Sequence, residues 1–290
     1  MSPGLNWAVV DNKRVYADHL GATANLFQAA FHRDFPKTLW NQYYFNNPYG
    51  DPIVSLAYSG STLVAHQALV PSTVSDGSLD IRYHLSMSTM VHPAHRGMPV
   101  FIELFKSVHR HALSQASGFV LGFPNASLYA PLGRCFGYRA IVESPLRNWV
   151  PPDVEPATIS QDPALGQPLM GHFTPPFTTE YWAWRTKLNQ ARAVVVNDGI
   201  RIVYKLLGGG TLNVLDVELP GREATWRDLA GLAAAEGCRS VRITDHHASM
   251  LGLAGSELTS HEGYSVRMCA LPLNQPVPQL QFNLLFCDIF

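Results

Sequence analysis

The chain of 290 residues is long enough for two domains, each with its own core. Its hydrophobic fraction of 47% and charged fraction of 15% are typical of a folded globular protein, not of a disordered or fibrous one. The net charge of −1 excludes the strongly basic surface that nucleic acid or an anionic membrane attracts, so any anionic ligand must be bound locally.

The cysteines and the start of the chain bear on metal content and compartment. No cysteine is part of a C-x-x-C pair, so the sequence predicts free thiols and no metal site; the four are Cys135, Cys238, Cys269 and Cys287. The first residues lack the basic and apolar regions of a signal peptide, and no apolar run approaches the ~20 residues needed to cross a bilayer. We therefore expect a cytoplasmic protein that binds neither membrane nor nucleic acid.

The first half of the chain alternates helices and strands. An apolar stripe predicts a helix over residues 16–32, and a hairpin follows across Ser59-Gly60-Ser61. The later predicted elements are a strand at 84–91, a helix after residue 99, a strand at 119–123, a helix at 127–135 and a strand at 138–142. A strand, a helix and a neighbouring strand in succession are typical of the right-handed βαβ unit, which predicts an α/β fold with a mixed sheet.

The second half repeats this order after a stretch rich in proline. Eight prolines fall within residues 145–176, where no periodicity is clear, and they indicate a linker. Hairpin, strand, helix, strand, helix and strand then recur at 193–206, 212–217, 225–236, 240–244, 248–254 and 264–269. The recurrence predicts two copies of one fold: a first domain at 1–150, a linker at 151–176 and a second domain at 177–290.

The turn before the long helix is the candidate ligand site. It reads His92-Pro-Ala-His-Arg-Gly-Met-Pro99, and helical spacing of apolar residues begins at Phe101. Backbone N–H groups at a helix start lack partners and carry a partial positive charge, so this turn suits a phosphate or pyrophosphate. The matching turn of the second half, Glu218-Leu-Pro-Gly-Arg-Glu223, carries acidic residues. We expect an anion only at the first turn, with the second copy helping to close an acceptor site.

Two segments of the first half carry a family resemblance. Residues 91–101 resemble the acyl-coenzyme A signature of the GNAT N-acyltransferase superfamily, and Gly122-Phe-Pro-Asn125 with Phe136-Gly137-Tyr138 is similar to its later strand and closing element. The resemblance covers residues 16–142, and it extends to 177–290 only by element order. It implies tandem GNAT-like mixed β-sheets with flanking helices and a degenerate second copy. The suggested relatives are bacterial enzymes that acylate nucleotide-linked amino sugars.

The resemblance also implies the residues that bind acyl-coenzyme A. Main-chain N–H groups at the helix start would hold the pyrophosphate, at Arg96, Gly97, Met98, Val100 and Phe101. Main-chain groups of the central strand would hold the pantetheine arm, at Thr89, Met90 and Val91, and a strand N–H would polarise the thioester carbonyl. Asn125 would bind a pantetheine amide. Gly133 falls where many members have the tyrosine that protonates the departing thiolate, and Tyr129, one helical turn earlier, is a possible substitute.

Other residues are candidates for proton transfer and for binding the acceptor. A general base is not essential for acyl transfer to an amine, but histidine suits the role because its pKa lies near neutrality. His84 and His66 on the strands are the candidates, and the alternative for each is a hydrogen-bonded structural histidine. Trp184 and Arg185 could meet a nucleotide phosphate of the acceptor, or form a surface ion pair. For His246-His247 a loop or helix-cap role is favoured over a metal site.

The sequence therefore predicts an N-acyltransferase that is a monomer or a homodimer. Its co-substrate would be acetyl-coenzyme A or another short acyl-coenzyme A, and its acceptor a small molecule, preferably a nucleotide-linked amino sugar. The amine would attack the bound thioester directly, because no cysteine has an evident neighbouring base. Two alternatives remain: the same fold acting on a peptide or small amine, and a non-catalytic binding module in which Pro99 and Phe101 have closed the cofactor site.

Overall fold

The computed structural model divides the chain into two compact units. It describes residues 4–161, 173–176, 178–187, 190–197, 199–218, 225–253 and 257–280, without the side chains of 261–263. Of these, the first unit contains 4–141, 173–176 and 268–280, and the second contains the others. Part of the predicted linker, 162–172, and the second acidic turn, 219–223, lie outside the described residues.

The first unit consists of a mixed sheet with helices. Its strands are β1 (Asn6–Val10), β2 (Ile53–Ser59), β3 (Thr62–Ser75), β4 (Asp80–Val91), β5 (Phe119–Gly122), the start of β6 (Arg139–Trp149) and the end of β12 (Thr259–Pro272). Its helices are α1 (Lys13–Ala17), α2 (Leu20–Phe31), α3 (Lys37–Trp40), which continues as a π-helical turn (Asn41–Phe45), α4 (Met98–Ser114) and α5 (Ala126–Phe136).

Strands β1 to β4 of the first unit are joined in antiparallel pairs, and β5 then runs parallel to β4. The other side of β5 pairs with residues 269–272 of β12. Helix α4 packs on β2, β3 and β4, and its apolar stripe lies in a core that includes Leu104, Phe105 and Val108. The Ser107 hydroxyl donates to Ser55 of β2 at 2.7 Å, so α4 covers the sheet face that carries Ser55.

The second unit has the same order of elements. After β7 (Ile159–Gln161) and α6 (Thr179–Thr186) come β8 (Arg192–Val196), β9 (Ile200–Leu207), β10 (Thr211–Glu218), α7 (Trp226–Ala235), β11 (Ser240–Thr244), α8 (Asp245–Met250) and the first part of β12. Strands β7 to β10 form antiparallel pairs, β11 is parallel to β10, and the end of β6 pairs antiparallel with β11. The mixed α/β fold class predicted from the sequence is confirmed.

Several local predictions differ from the structure. The helix expected at 16–32 is two helices, because α1 ends at Ala17 and α2 starts at Leu20. The last predicted helix starts earlier, at Asp245, because the Thr244 hydroxyl accepts the His247 N–H and caps it; His246 and His247 are therefore helical. At the start of α7, the N–H and the hydroxyl of Thr225 both donate to Asp228 Oδ2 at 3.1 Å.

The unit boundaries fall inside two strands. Strand β6 begins in the first unit and passes into the second at residue 142, and β12 begins in the second and passes into the first at residue 268. Residues 142–150, which the sequence groups with the first domain, thus lie in the second unit. In sequence, helical and strand periodicity cannot reveal this exchange, because the partner of a closing strand is a long-range property.

Two features are absent from the residues that the structure describes. None of the helices in these ranges is long and apolar enough to cross a membrane. No three His, Cys, Asp or Glu side chains there are grouped so that they could hold a metal ion. Three of the four cysteines fall in the described part of the chain, and all three are free thiols.

Candidate functional site

A β-bulge interrupts β4 near its end. Met87 is opposite Ala68 and Met90 is opposite His66, so β4 has one residue more than β3 between these pairs. Ser88 within this segment has a φ of 55°, a left-handed conformation that is uncommon for a residue other than glycine. A bulge leaves an extra residue outside the ladder and redirects its peptide groups.

Strands β4 and β5 separate just before the bulge. Their parallel pairing runs from Tyr83 with Phe119 to Ser86 with Gly122, where β5 ends. Strand β4 continues for five more residues, and no ladder pair joins these to β5 among the residues that the structure describes. The main chain of Thr89, Met90 and Val91 therefore lies along an opening between two strands.

The predicted anion cradle is a helix start that follows β4 directly. After a 3₁₀ turn (Pro93–His95) α4 begins at Met98, with Gly97 as its N-cap. The Phe101 N–H bonds the Gly97 carbonyl at 3.1 Å, so Phe101 is already inside the helix. Helix geometry leaves the N–H groups of Gly97, Met98 and Val100 as donors, whereas Pro99 supplies none.

The side chains around this helix start differ in exposure. Met98 is 46% exposed, and Arg96 lies at the surface, where its guanidinium is 3.4 Å from the Ala30 carbonyl at the end of α2. The Phe101 ring is buried and packs against Phe105 and Phe136. Phe101 therefore belongs to the core and does not fill the space outside the helix start.

Asn125 and Tyr129 lie just beyond the end of β5. The Asn125 carbonyl oxygen Oδ1 caps α5 by accepting the Leu128 N–H at 3.1 Å, and it also accepts the Ser127 hydroxyl. Because the side chain is exposed, its Nδ2 group can donate to a ligand while Oδ1 caps the helix. Tyr129 is half-buried one turn along α5, where it packs against the core beneath α4.

The structure buries His66 completely. Its Nδ1 donates to the Ser88 carbonyl at 2.9 Å, and its Nε2 accepts the Tyr16 hydroxyl at 2.9 Å. Trp40 Nε1 donates to the same hydroxyl at 3.0 Å. Burial lowers the pKa of His66 to about 4, so the ring is neutral at pH 7.

His84 is equally inaccessible. Its Nδ1 bonds the Ser117 hydroxyl at 2.8 Å, and its Nε2 is buried without a hydrogen-bond partner. Burial, with a smaller contribution from the nearby Arg82, lowers the pKa of His84 to about 3. Neither His66 nor His84 is open to an acceptor amine in this structure. The sequence prediction that one of them is a general base receives no support from their positions.

A chain of polar side chains under α4 also reaches the bulge. Gln67 accepts the Thr89 hydroxyl and donates to the Ser86 hydroxyl at 2.9 Å. Ser86 in turn hydrogen-bonds Tyr138, whose hydroxyl lies 2.9 Å from His109 Nε2 on α4. Sequence patterns did not indicate Gln67, Ser86 or His109. Gln67 was the available signal, as a long polar side chain within the mostly apolar stretch 63–71 of β3.

The acceptor residues predicted in the second unit are buried. Trp184 is 6% and Arg185 is 3% exposed on α6, and the Arg185 guanidinium lies 5.3 Å from the centre of the Trp184 ring. A contact with a nucleotide phosphate requires an accessible guanidinium. The described position of Arg185 does not provide one, because a cation–π contact and burial hold it inside the unit.

The second unit also has a bulge in its fourth strand, between Val214 and Asp216 of β10. Helix α8 packs on β10 and β11 there, and His247 Nε2 lies 3.7 Å from Asp216 Oδ1 with both side chains buried. In this unit the strand beyond the bulge is therefore covered by a helix and a buried ionisable pair.

Comparisons with known proteins agree with this geometry. Residues 12–141 match the family described as acetyltransferase (GNAT) domain. No curated protein sequence matches the chain.

Solved structures similar to this one include a conserved protein from Enterococcus faecalis, described as a probable N-acyltransferase, at a TM-score of 0.65, 12% identity and coverage of 93% of this chain and 73% of that one. A GCN5-related N-acetyltransferase from Kribbella flavida has a TM-score of 0.62 and 13% identity, and the match covers 94% of this chain and 73% of that one. A chain described as a fungal glucosamine N-acetyltransferase region has a TM-score of 0.61 and 15% identity, and the match covers 93% of this chain and 38% of that one.

Identities this low establish only the fold, whereas the family match covers the residues that form the bulge, the strand separation and the start of α4. Residues 12–141 are therefore similar in sequence to the family of GNAT acetyltransferase domains, and this matched range includes all three features.

Proposed function

We propose that the protein is an N-acyltransferase that moves an acetyl or other short acyl group from coenzyme A to a small-molecule amine. One observation carries the proposal: the open edge of β4 beyond Ser86 leads directly into the exposed start of α4. The strand edge suits the amides of a pantetheine arm, and the helix start suits a pyrophosphate. Phe101 leaves that start open because its ring is in the core.

Each site residue has a distinct role in this proposal. The N–H groups of Gly97, Met98 and Val100 bind the pyrophosphate, with Arg96 beside them, and the main chain of residues 89–91 bonds the pantetheine arm. The Thr89 N–H, at the bulge, polarises the thioester carbonyl.

Two side chains complete the proposed site. Asn125 donates its Nδ2 to a pantetheine amide, and Tyr129 protonates the departing thiolate. His66 and His84 take no part in proton transfer because both rings are buried.

The acceptor is an amine on a small molecule, and an amino sugar is the preferred class. A similar fold occurs in a protein described as a glucosamine N-acetyltransferase region, which supports this choice. The nucleotide attached to that sugar, and a cytoplasmic location, remain predictions from the sequence. We assign no acceptor role to Trp184 or Arg185.

The second unit is proposed to be a degenerate copy of the first. Both have the same element order and a bulge in the fourth strand, β4 in the first unit and β10 in the second. The buried pair of His247 and Asp216 occupies the region beyond the second bulge, so no pantetheine arm is expected there.

The binding site is tested by a charge placed at the helix start. Met98→Glu puts a carboxylate in the first turn of α4, where it stabilises the helix but repels the pyrophosphate. We expect the affinity for coenzyme A to fall at least about tenfold, or ~1.4 kcal/mol, while the melting temperature stays the same or rises.

Met98→Gln is the neutral control for this charge and should bind coenzyme A as the wild type does. Isothermal titration calorimetry measures the affinities. Equal affinity of the Glu and Gln variants would place the phosphates elsewhere. Transfer to an amine is then tested by following thiol release from acetyl-coenzyme A with amino sugars, small amines and peptides as acceptors.

A further inference from the structure

Two consecutive residues of β3 fasten the bulge of β4 from opposite faces. Neighbouring side chains on a strand point to opposite sides of the sheet. His66 lies on the side of Tyr16 and donates to the Ser88 carbonyl, whereas Gln67 lies on the α4 side and bonds the hydroxyls of Ser86 and Thr89. The bulge is thereby tied to β3 by side chains as well as by the ladder.

The bond to the Ser88 carbonyl also sets the direction of the next N–H group. The peptide unit between Ser88 and Thr89 is planar and trans, so its C=O and N–H point in opposite directions. Because His66 holds the carbonyl, the Thr89 N–H points away from His66. A hydrogen bond to the carbonyl also polarises the peptide and makes its N–H a stronger donor.

Ser88 needs such partners. A left-handed conformation costs a non-glycine residue about 1–3 kcal/mol and persists only where its surroundings impose it. If Ser88 returned to an extended conformation, the peptide that follows it would rotate, and the Thr89 N–H would turn with it. The side chains that bond this segment therefore determine where that N–H points.

Tyr16 and Trp40 keep the imidazole in the required form. The Tyr16 hydroxyl receives the Trp40 N–H and donates its own proton to His66 Nε2, so the single ring proton of neutral His66 is on Nδ1. All three side chains are at most 4% exposed. Water therefore does not compete for these bonds.

We propose that His66 is a positioning residue that orients the Thr89 N–H toward the thioester carbonyl of bound acyl-coenzyme A. Gln67 holds the Thr89 side chain from the other face, and Tyr16 fixes the tautomer of His66. His66 acts through the Ser88 peptide and does not touch the substrate. This inference rests on the proposed function, because it assigns a task within the same site.

The test measures polarisation of the carbonyl without requiring an acceptor. Isotope-edited infrared difference spectra of [1-¹³C]acetyl-coenzyme A report the carbonyl stretch, which moves to lower wavenumber when an N–H polarises the bond. We expect a downshift on binding to the wild type. In His66→Leu the band should return at least halfway to its position in free acetyl-coenzyme A.

Binding of coenzyme A itself separates a local effect from general damage. Coenzyme A has no acyl carbonyl, so its affinity for His66→Leu should stay within about threefold of the wild-type value. His66→Asn places an amide donor near the Ser88 carbonyl and should restore most of the downshift.

Leu56→Ala is the matched control. Leu56 is buried opposite His66 on the same face, but its side chain can form no hydrogen bond to the bulge. This variant should lose stability and keep the downshift.

The outcomes distinguish the inference from the proposed function. If the wild-type protein binds neither coenzyme A nor acetyl-coenzyme A, both the proposed function and the proposed role of His66 are wrong. If His66→Leu binds acetyl-coenzyme A normally and shows the same downshift as the wild type, His66 does not have the proposed role, and the proposed function is unaffected. An equal loss of downshift in Leu56→Ala would also overturn the proposed role of His66, because the effect would then follow destabilisation alone.

Discussion

Pro99 is the residue that most directly limits the helix start of α4. It occupies the second helical position, where it fixes φ but removes one of the N–H groups that would face the proposed pyrophosphate. The turn keeps its shape with three donors instead of four. In the proposed site, Pro99 would therefore weaken the binding of the pyrophosphate while it makes the start of the helix more rigid.

Replacing Pro99 with alanine should therefore strengthen phosphate binding. Pro99→Ala restores an N–H group, and a hydrogen bond to a charged oxygen should improve the affinity for coenzyme A about tenfold, or ~1.4 kcal/mol. Stability should fall by about 0.5–1 kcal/mol, because the unfolded chain gains freedom. Calorimetric titration and urea unfolding measure the two effects.

The control ligand for Pro99→Ala is pantetheine, which lacks the pyrophosphate. Its affinity should not change. A gain for pantetheine equal to that for coenzyme A would mean that the new N–H group does not face phosphate.

At the scale of the element, Asn125 links the start of α5 to the proposed ligand. Its Oδ1 caps the helix, and its Nδ2 is available to an acyl-coenzyme A amide. Asn125→Ser keeps a capping oxygen but removes the amide donor. We expect the melting temperature of this variant to stay the same, and its affinity for acetyl-coenzyme A to fall about fivefold, or ~1 kcal/mol for one hydrogen bond.

Asn125→Ala completes this comparison, because it removes both the cap and the donor. It should lose about 1 kcal/mol of stability in addition to the affinity. If Asn125→Ser binds acetyl-coenzyme A as tightly as the wild type, the side chain of Asn125 only caps the helix. Differential scanning fluorimetry and calorimetric titration are sufficient for both variants.

The sequence predicts α4 and its turn well because their signals are local. Helical spacing from Phe101 onward and the composition of residues 92–99 specify both elements. The bulge has no such signal, because Ser88 adopts positive φ without being glycine. The role proposed for His66 depends on Tyr16, which is 50 residues distant, and on Trp40, so no local pattern reveals it.

The whole-molecule prediction concerns acid stability. Burial lowers the pKa of His66, His84 and His109 from 6.5 to about 4, 3 and 4. Between these values and pH 6.5 the unfolded chain binds protons that the folded chain does not, so stability is full above pH 6.5 and falls as the pH decreases. Each histidine should contribute a loss of about 2 kcal/mol between pH 6.5 and about pH 5.

Urea unfolding at about pH 7 and about pH 5 measures this loss. His84→Gln cannot titrate in this range, and the difference in stability between the two pH values should therefore be about 2 kcal/mol smaller than in the wild type. An unchanged difference would show that His84 is not kept neutral by burial.

The fold of the whole molecule was partly readable from sequence. The repeated order of hairpin, strand, helix, strand, helix and strand is present in both units, and periodicity was sufficient to predict most of it. Periodicity could not show that β5 of the first unit pairs with residues 269–272. Those two segments are separated by almost the whole second half of the chain, and neither contains a sequence signal for its partner.

That pairing sets the order of events while the protein is being synthesised. The four residues of β5 are buried, yet one edge of this strand has no partner until Pro272 has left the ribosome. At a synthesis rate of about 5–20 residues per second, the roughly 130 residues between 141 and 272 delay completion of the first sheet by about 10 s. During that interval an apolar strand edge is open to neighbouring nascent chains, and chaperones that shield such edges have a defined period in which to act.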